Sequence, residues 1–380
     1  MDPVPLVDFA PLARLALLAC VIALLPLSWI WLRQRGADSR GRLAALTAVT
    51  LFLTFDLIVF GSFTRLSDSG LGCPDWPGCY GEASPLGARH EIHAAQSALP
   101  NGPVTWSKAW IEMIHRYLAM TVGVLILVMA AASWGLRRSL PHSAWLPTLT
   151  LVWVVVQGLF GKYTVTLKLY PAVVTMHLLG GLLLLALLAV QHEAFRARPL
   201  AAASGLRRLA LASLGLLVVQ VALGGWVSTN YAVLACTGFP ACNGEWWPAM
   251  DFRHGFTLLR ELGHDGRGGY LTRDALVAIH MTHRLFALVV SGVLIVLALQ
   301  LWRARALRRF GLGLALLLAA QIASGLSNVV LGWPLAAALG HSAGAAGLVL
   351  LLTLLLARTA RPRAMAPRAA PQPASPGAPA

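Results

Sequence analysis

The stretch LGCPDWPGCYGE, residues 71–82, returns in altered form as LACTGFPACNGE, residues 234–245. Each copy holds two cysteines separated by five residues, followed by any residue, Gly and Glu. Further along the chain, EMIHRYLA at 112–119 is matched by HMTHRLFA at 280–287. Similar segments that recur in the same order indicate an internal duplication.

Single residues extend this correspondence. Gly61 matches Gly224 at an offset of 163, the offset of the cysteine segments. Two further matches, at an offset of 164, are Gln157 with Gln321 and His177 with His341. The nearly constant offset predicts two tandem copies of one structural unit.

Composition predicts the class of protein. The 380 residues are 57% hydrophobic and 12% charged, whereas about 25% of an average soluble domain is charged. This much apolar sequence excludes a disordered chain for most of the length and a soluble globular domain. The formal net charge of +15 alone would suit a nucleic-acid-binding protein, but such a protein is rarely so apolar. The sequence therefore predicts an all-α polytopic membrane protein that binds no nucleic acid.

Membrane-spanning helices need about 20 apolar residues. Nine runs meet this requirement: 13–32, 43–63, 110–134, 145–161, 171–192, 209–228, 276–302, 310–330 and 335–357. The first run has a second interpretation, a signal peptide. It has no basic segment before it and no small-residue cleavage site, so we expect an uncleaved helix.

Basic residues predict the orientation. The odd-numbered connections between the nine runs, together with the tail, contain 18 of the 30 Lys and Arg residues. Since cytoplasmic loops are rich in Lys and Arg, these connections and the C-terminus are expected in the cytoplasm. The N-terminus and the long loops at about 64–109 and 229–275 are then outside. The sequence shows no Arg-rich transit peptide, which favours a bacterial plasma membrane.

The duplication and the apolar runs together predict the architecture. Each copy contains four helices, and an even number of crossings leaves both copies with the same orientation. We therefore expect two four-helix-bundle repeats related by a pseudo-two-fold axis along the membrane normal. The predicted parts are an extra N-terminal transmembrane helix with its cytoplasmic loop at 1–40, repeats at 41–200 and 201–360, and a disordered Pro/Ala-rich tail at 361–380.

Cysteines fit the predicted orientation. Two pairs, Cys73 with Cys79 and Cys236 with Cys242, lie in the outer loops, and Cys20 is left over in a helix. Paired cysteines in an oxidising compartment indicate disulfides. Free thiols and a metal-binding pair are the alternatives, although neither loop supplies the four ligands of a structural zinc site.

Four histidines lie within the apolar runs: His115, His177, His283 and His341. Each is a few residues from the outer end of its helix, so all four are expected roughly 10 Å below the outer boundary at about 1.5 Å per residue. Ionisable residues inside a membrane are costly and indicate a functional site, although a lone histidine more often joins helices by a hydrogen bond. Two imidazoles facing each other across a four-helix bundle suit a hexacoordinate heme. Two pairs predict two hemes, with copper or zinc as the alternative.

Arginines accompany two of these histidines. Arg116 and Arg284 each follow a histidine, and Arg65 ends the first repeated helix, where the second copy has Ser228. An arginine at the outer interface suits a heme propionate. The alternative is a side chain that reaches lipid phosphates.

The two copies differ next to one histidine. Glu112 lies three residues before His115, where the second copy has His280. A buried carboxylate beside iron could act as an acid or base, or stabilise a cationic intermediate. The alternative is a residue that caps the helix start. The difference predicts a reaction at the first pair of histidines and a permanently bound electron-transfer heme at the second. No partner is predicted for Asp56, whose counterpart is not acidic.

Taken together, these motifs resemble the heme A synthase family. The resemblance is carried by FGSFTRLSDSGLGCPDWPGCYG at 60–81, EMIHR at 112–116, HMTHR at 280–284, His177 and His341. It covers about residues 43–357. It implies an eight-helix membrane protein of two four-helix repeats that converts heme O to heme A, oxidising a methyl group to a formyl group. Two successive hydroxylations would give a gem-diol that loses water.

The resemblance also assigns roles. His115 and His177 would flank the substrate heme O, Glu112 would be the carboxylate needed for activity, and His283 and His341 would bind the cofactor heme b. The cysteine pairs match the disulfide-forming pairs of those family members that have them. The extra N-terminal helix departs from the eight-helix pattern.

Four partners are expected: heme O synthase as heme donor, an unidentified electron donor, the lipid bilayer and a second copy in a homo-oligomer. Two alternative functions explain the four histidines but not the difference between the copies at Glu112. One is a diheme b-type cytochrome with bis-histidine ligation that passes electrons from quinol, and the other is a heme transporter or chaperone.

Overall fold

A computed structural model describes residues 10–196 and 199–360, which form eleven α-helices and no β-strand. Nine of these helices are long and apolar enough to cross a membrane, so the chain is a multi-pass membrane protein. They are α1 (Ala10–Arg33), α2 (Ser39–Leu66), α4 (Trp106–Gly135), α5 (Trp145–Thr166), α6 (Pro171–Arg196), α7 (Ser204–Thr229), α9 (Arg273–Arg303), α10 (Arg308–Val330) and α11 (Leu335–Arg358). Two shorter helices, α3 (Arg89–Ala98) and α8 (Phe252–Gly255), lie in the long loops. The predicted tail at 361–380 lies outside the described residues.

Most helices extend beyond the apolar runs that predict them. The α4 helix begins after Thr105, whose hydroxyl accepts a hydrogen bond from the Lys108 backbone. Thr272 caps α9 in the same way, and the Asp38 carboxylate caps α2 at 2.8 Å from the Gly41 nitrogen. Side-chain caps satisfy the free N–H groups of the first turn, so a helix can begin in polar sequence before the apolar run.

The helices form two groups of four. In the first helix group, α2, α4, α5 and α6, each helix contacts the next and α6 closes the ring against α2. In the second helix group, α7, α9, α10 and α11 contact one another in the same cyclic order. The groups meet where α6 packs on both α7 and α11 and where α11 packs on α2.

Large aliphatic side chains fill the centre of both groups. Leu125 and Leu185 are fully buried in the first helix group, as are Leu294 and Leu297 in the second. One continuous apolar cluster includes all four. Because lipid tails are as apolar as leucine, helices in a bilayer associate through close packing rather than through transfer out of water.

The additional helix α1 packs mainly along α4 and touches α2. Leu15 of α1 is fully buried in a cluster that includes Cys73, Cys79 and Met113. The opposite side of α1 exposes large apolar side chains such as Leu25 and Trp29. The helix therefore supports α4 and the loop that contains the first cysteine pair.

The long connections lie at one end of the bundle, here called the loop end. The first long loop, residues 67–105, follows α2, and the second long loop, residues 230–272, follows α7. At the loop end, Arg65 of α2 donates a hydrogen bond to the carbonyl of Ser228 of α7 at 2.6 Å. Beside this contact, the Tyr231 hydroxyl donates to the Asp68 carboxylate at 2.6 Å.

Candidate functional site

The four predicted histidines lie on four different helices near the loop end. His115 is on α4 and His177 on α6, both in the first helix group, and His283 and His341 are on α9 and α11 in the second. All four residues are half-buried. Each helix group thus holds two of the four histidines on helices that lie across the ring from each other. His115 and His177 are here called the first site, and His283 and His341 the second site.

Each imidazole lies against a glycine on the neighbouring helix. A β-carbon added to Gly61 would lie 2.8 Å from Cε1 of His115, and one added to Gly224 would lie 3.0 Å from Cε1 of His283. Gly325 approaches His341 equally closely, and Gly161 faces His177 at 3.6 Å. The absence of a side chain at these positions lets the histidine rings pack edge-on against the helix backbone.

The two sites differ in how the histidine Nδ1 atoms are hydrogen-bonded. In the first site, Nδ1 of His115 and of His177 is buried and has no hydrogen-bond partner among the described residues. In the second site, the Gln220 side-chain amide lies 3.0 Å from Nδ1 of His283. Nδ1 of His341 lies 3.1 Å from the Ser324 hydroxyl and 3.1 Å from the Gln321 carbonyl oxygen.

Glu112 lies one turn before His115 on α4 and is only 3% exposed. Its Oε2 accepts a hydrogen bond from the Cys73 backbone at 2.8 Å, and its Oε1 pairs with the Arg116 guanidinium. Arg116 also donates to the carbonyls of Asp75 at 2.9 Å and Pro77 at 3.2 Å. The carboxylate and the guanidinium together fasten the first cysteine segment over the first site.

Arg284 occupies the matching place on α9. It donates to the carbonyls of Cys236 at 3.0 Å and Gly238 at 3.2 Å, and its Nε donates to Nε2 of His280 at 3.3 Å. The second cysteine segment is therefore held as the first one is, but with an imidazole in place of the carboxylate. The arginine charge is paired with a carboxylate in the first site and with a neutral base in the second.

The three arginines that were expected to bind heme propionates have other partners in the structure. Arg116 and Arg284 bind loop carbonyls. Arg65 binds the Ser228 carbonyl, lies 4.1 Å above the Tyr231 ring and is 3.7 Å from the Asp68 carboxylate. A propionate contact for these three arginines stays a prediction.

The cysteines lie where the sequence places them. Cys73 is bonded to Cys79, and Cys236 to Cys242, in two disulfides beside the arginine anchors. Cys20 is a free thiol on the exposed face of α1. Asp56 is exposed near the middle of α2.

Buried polar groups also shape the second long loop. Arg260 is 2% exposed, its side chain is hydrogen-bonded to Asn230, and it lies 5.5 Å above the Trp226 ring. Burial lowers the pKa of the Arg260 guanidinium. In the first long loop, burial raises the pKa of the Tyr80 phenol, and the Asp75 and Glu91 carboxylates raise it further. Arg260 thus ties the second long loop to the end of α7.

The donor set fits heme. Each site offers two imidazoles from opposite helices of one group, and heme iron takes two axial protein ligands. A bare metal ion usually needs three or four protein ligands, and the described residues contain no group of three or more His, Cys, Asp or Glu suited to a metal. The glycines opposite the rings give each imidazole a fixed place against the helix backbone.

Sequence reasoning missed several residues that complete the sites. Gly161 and Gly325 share the 164-residue offset of the histidines that they face, which could have identified them. Gln220 and Ser324 are polar residues in apolar helices, a signal that was available. The loop contacts of Arg116 and Arg284 left no signal in the sequence, because their acceptors are backbone carbonyls.

Comparison with known proteins identifies the family of the chain. The cytochrome oxidase assembly protein family model matches residues 44–354. A heme A synthase from Shewanella oneidensis is 41% identical over 319 residues, 83% of this chain and 95% of that protein. One from Caulobacter vibrioides is 28% identical over 343 residues, 83% of this chain and 96% of that protein. One from Shouchella clausii is 26% identical over 215 residues, 54% of this chain and 65% of that protein. The chain belongs to the heme A synthase family of cytochrome oxidase assembly proteins.

Proposed function

We propose that this protein is a heme A synthase, an oxidoreductase that converts a methyl group of heme O to a formyl group by successive hydroxylations within the membrane. The similarity to the Shewanella oneidensis protein over nearly its full length supports this activity. The observation that carries it in the structure is the presence of two histidine pairs, only one of which has a carboxylate, Glu112, one turn away. The diheme cytochrome and the heme carrier do not explain this difference.

The first site then binds the substrate heme O between His115 and His177, and the second binds heme b between His283 and His341. Bound heme iron supplies the redox chemistry of the oxidation. The imidazole nitrogens of the four histidines would hold the hemes, and the glycines position the imidazole rings.

Glu112 is the residue of the first site suited to proton exchange. Its carboxylate stands on the same face of α4 as His115 and is kept in place by the Cys73 backbone and Arg116. A carboxylate fixed in this way can accept or donate a proton, or stabilise positive charge that develops at the substrate. Arg116 and the first disulfide set its position.

The architecture that fits this function is a pair of four-helix repeats related by a pseudo-two-fold axis along the membrane normal, with α1 added outside. Contacts between matching positions support it. Arg65 touches Ser228 and Asp68 touches Tyr231, and both pairs are separated by 163 residues, the offset of the duplication. Residues that meet their own counterparts are expected beside a two-fold axis.

We place the loop end outside a bacterial plasma membrane and the opposite end in the cytoplasm. Arginines at the opposite end support this orientation, among them Arg33, Arg137, Arg208 and Arg309. The disulfides would then form on the oxidising side. Heme O synthase as donor, a separate electron donor and a second copy of the chain remain the proposed partners.

Pigment analysis tests the function. The chain is produced in a host that contains heme O synthase but has no heme A synthase of its own, and the extracted hemes are separated by chromatography. We expect heme A in these cells and none in cells that carry the His115→Ala variant. Folded, heme-loaded protein that yields only heme O and heme b would overturn the proposal.

A further inference from the structure

We propose that Gln220 and Ser324 are positioning residues that fix the two histidine ligands of the second site, whereas the first site lacks such residues and holds its heme less tightly. This inference rests on the two heme sites of the proposed function. It concerns retention of heme rather than turnover.

The His341 ring is held in the form that can bind iron. Its Nδ1 lies 3.1 Å from the Gln321 carbonyl oxygen, and a carbonyl can only accept a hydrogen bond, so Nδ1 carries the proton. The Ser324 hydroxyl donates to the Ala320 carbonyl at 2.8 Å and turns a lone pair to the same Nδ1 at 3.1 Å. Nε2 keeps its lone pair, which accepts a hydrogen bond from the Gln321 amide at 3.3 Å, and iron would take the place of that amide.

The His283 ring is held by Gln220 on α7. The Gln220 amide nitrogen lies 3.0 Å from Nδ1 of His283 and 3.2 Å from the backbone oxygen of the same residue. The Gln220 amide oxygen is buried and has no partner among the described residues. As a ligand through Nε2, His283 carries its proton on Nδ1 and needs an acceptor there. A half-turn of the Gln220 amide would supply its oxygen as that acceptor, in exchange for the bond from the amide nitrogen to the His283 backbone oxygen.

The matching positions of the first site cannot make these bonds. Gln220 lies four residues before Gly224, and the residue four before Gly61 is Leu57. Ser324 lies directly before Gly325, and the residue directly before Gly161 is Phe160. Neither side chain has a hydrogen-bonding group. In keeping with this, Nδ1 of His115 and of His177 is unpartnered within the described part of the chain.

Hydrogen bonds to the second nitrogen of a metal-bound histidine set the orientation of the ring and strengthen the ligand. Loss of such a partner typically costs about 10–100-fold in metal affinity. A site that accepts a substrate heme and releases a product heme gains from weaker binding, and a site that keeps its heme gains from stronger binding. The distribution of Gln220 and Ser324 agrees with these separate tasks.

The test measures heme release. The full chain carrying His115→Ala, which removes a ligand of the first site, is purified with heme b in a host without heme O synthase, and transfer of heme to excess apomyoglobin is followed by absorbance. We expect Gln220→Leu and Ser324→Ala each to accelerate transfer by about 10–100-fold. The midpoint potential of the remaining heme should rise as well, because a less strongly donating imidazole stabilises ferric iron less.

Ser327→Ala is the matched control, since Ser327 lies on α10 one turn away and bonds only the Ala323 carbonyl, at 2.8 Å. Ser324→Ala removes one oxygen atom and keeps the helix, so it decides the question even where Gln220→Leu yields no folded protein. Transfer rates and potentials equal to those of Ser327→Ala in the same His115→Ala background would overturn the inference, even where the chain with His115 intact makes heme A. If the chain with His115 intact makes no heme A while release is accelerated, only the proposed function is contradicted.

Discussion

Arg358 donates two hydrogen bonds to the carboxylate of Glu193, one from Nε at 2.7 Å and one from Nη2 at 2.8 Å. The pair joins the end of α6 to the end of α11, across the contact between the two helix groups and at the end opposite the loops. The side chain of Glu193 is only 5% exposed. Removal of its partner would leave a nearly buried charge without compensation.

We expect Arg358→Ala to destabilise the protein by about 1.5–3 kcal/mol, the range for hydrogen bonds to charged groups. Arg358→Lys should recover only part of the loss, because lysine lacks the planar fork that binds both carboxylate oxygens. The temperature of half-unfolding in detergent measures the effect. Glu91→Ala, at an exposed position of α3, serves as the control, and an equal shift in the control would contradict a specific role of the pair.

Glu112→Gln separates proton exchange from loop anchoring. Glutamine keeps an oxygen that can accept from the Cys73 backbone or from Arg116, but it cannot exchange a proton. We expect heme binding to persist and heme A formation to fall by about 10²–10⁴-fold, the usual contribution of general acid–base catalysis. The heme composition of cells that contain heme O synthase gives the readout.

Glu112→Ala removes both the proton-exchanging group and the anchor. If anchoring were its sole task, Glu112→Gln would retain most of the activity and only Glu112→Ala would lose it. That outcome would remove the carboxylate from the proposed chemistry.

Most of the membrane architecture follows from the sequence, because hydropathy and chain length together restrict where a helix can cross. All nine apolar runs form helices, and the cysteine, histidine and glutamine positions alone indicate the duplication. Helix ends are less predictable. The α4 helix begins four residues before its apolar run, because the Thr105 cap stabilises the first turn in polar sequence.

The contacts of the arginines were not predictable in the same way. Arg116 and Arg284 were expected near propionates, and in the structure they bind backbone carbonyls of the cysteine segments. Residue spacing along a helix places a side chain on a face and at a depth. Its acceptor is a backbone carbonyl of a loop distant in sequence. Because every residue has such a carbonyl, no residue type in the sequence marks the acceptor.

The loop end should respond to alkaline pH through Tyr231. Partial burial raises the pKa of its phenol above the usual value, the Arg65 guanidinium lowers it by less, and the hydrogen bond to the Asp68 carboxylate raises it again. A folded-state pKa above the unfolded one means that the contribution to stability is complete below about pH 10 and is lost as the pH rises through the folded-state pKa. Thermal unfolding between neutral pH and about pH 11 measures this loss.

Tyr231→Phe should lower stability at neutral pH and remove this part of the alkaline decline. Tyr270→Phe is the control, because Tyr270 is 81% exposed. An alkaline decline that is the same in wild type and in Tyr231→Phe would show that another group is responsible.

Gly61 lies so close to His115 that adding one methyl group, in Gly61→Ala, tests whether the first site depends on this contact. A β-carbon at position 61 would lie 2.8 Å from Cε1 of the His115 ring, so Gly61→Ala must displace either the ring or α2. We expect loss of heme from the first site and loss of heme A formation, while the second site keeps its heme. Gly158→Ala on α5 is the matched control, because its added β-carbon meets nothing within 4 Å. In that control the usual preference of a helix for alanine over glycine should leave stability unchanged or slightly higher. A different result would be that the first site holds as much heme in Gly61→Ala as in Gly158→Ala. That result would mean that the His115 imidazole does not need its place against the α2 backbone, and that Gly61 has no part in the site.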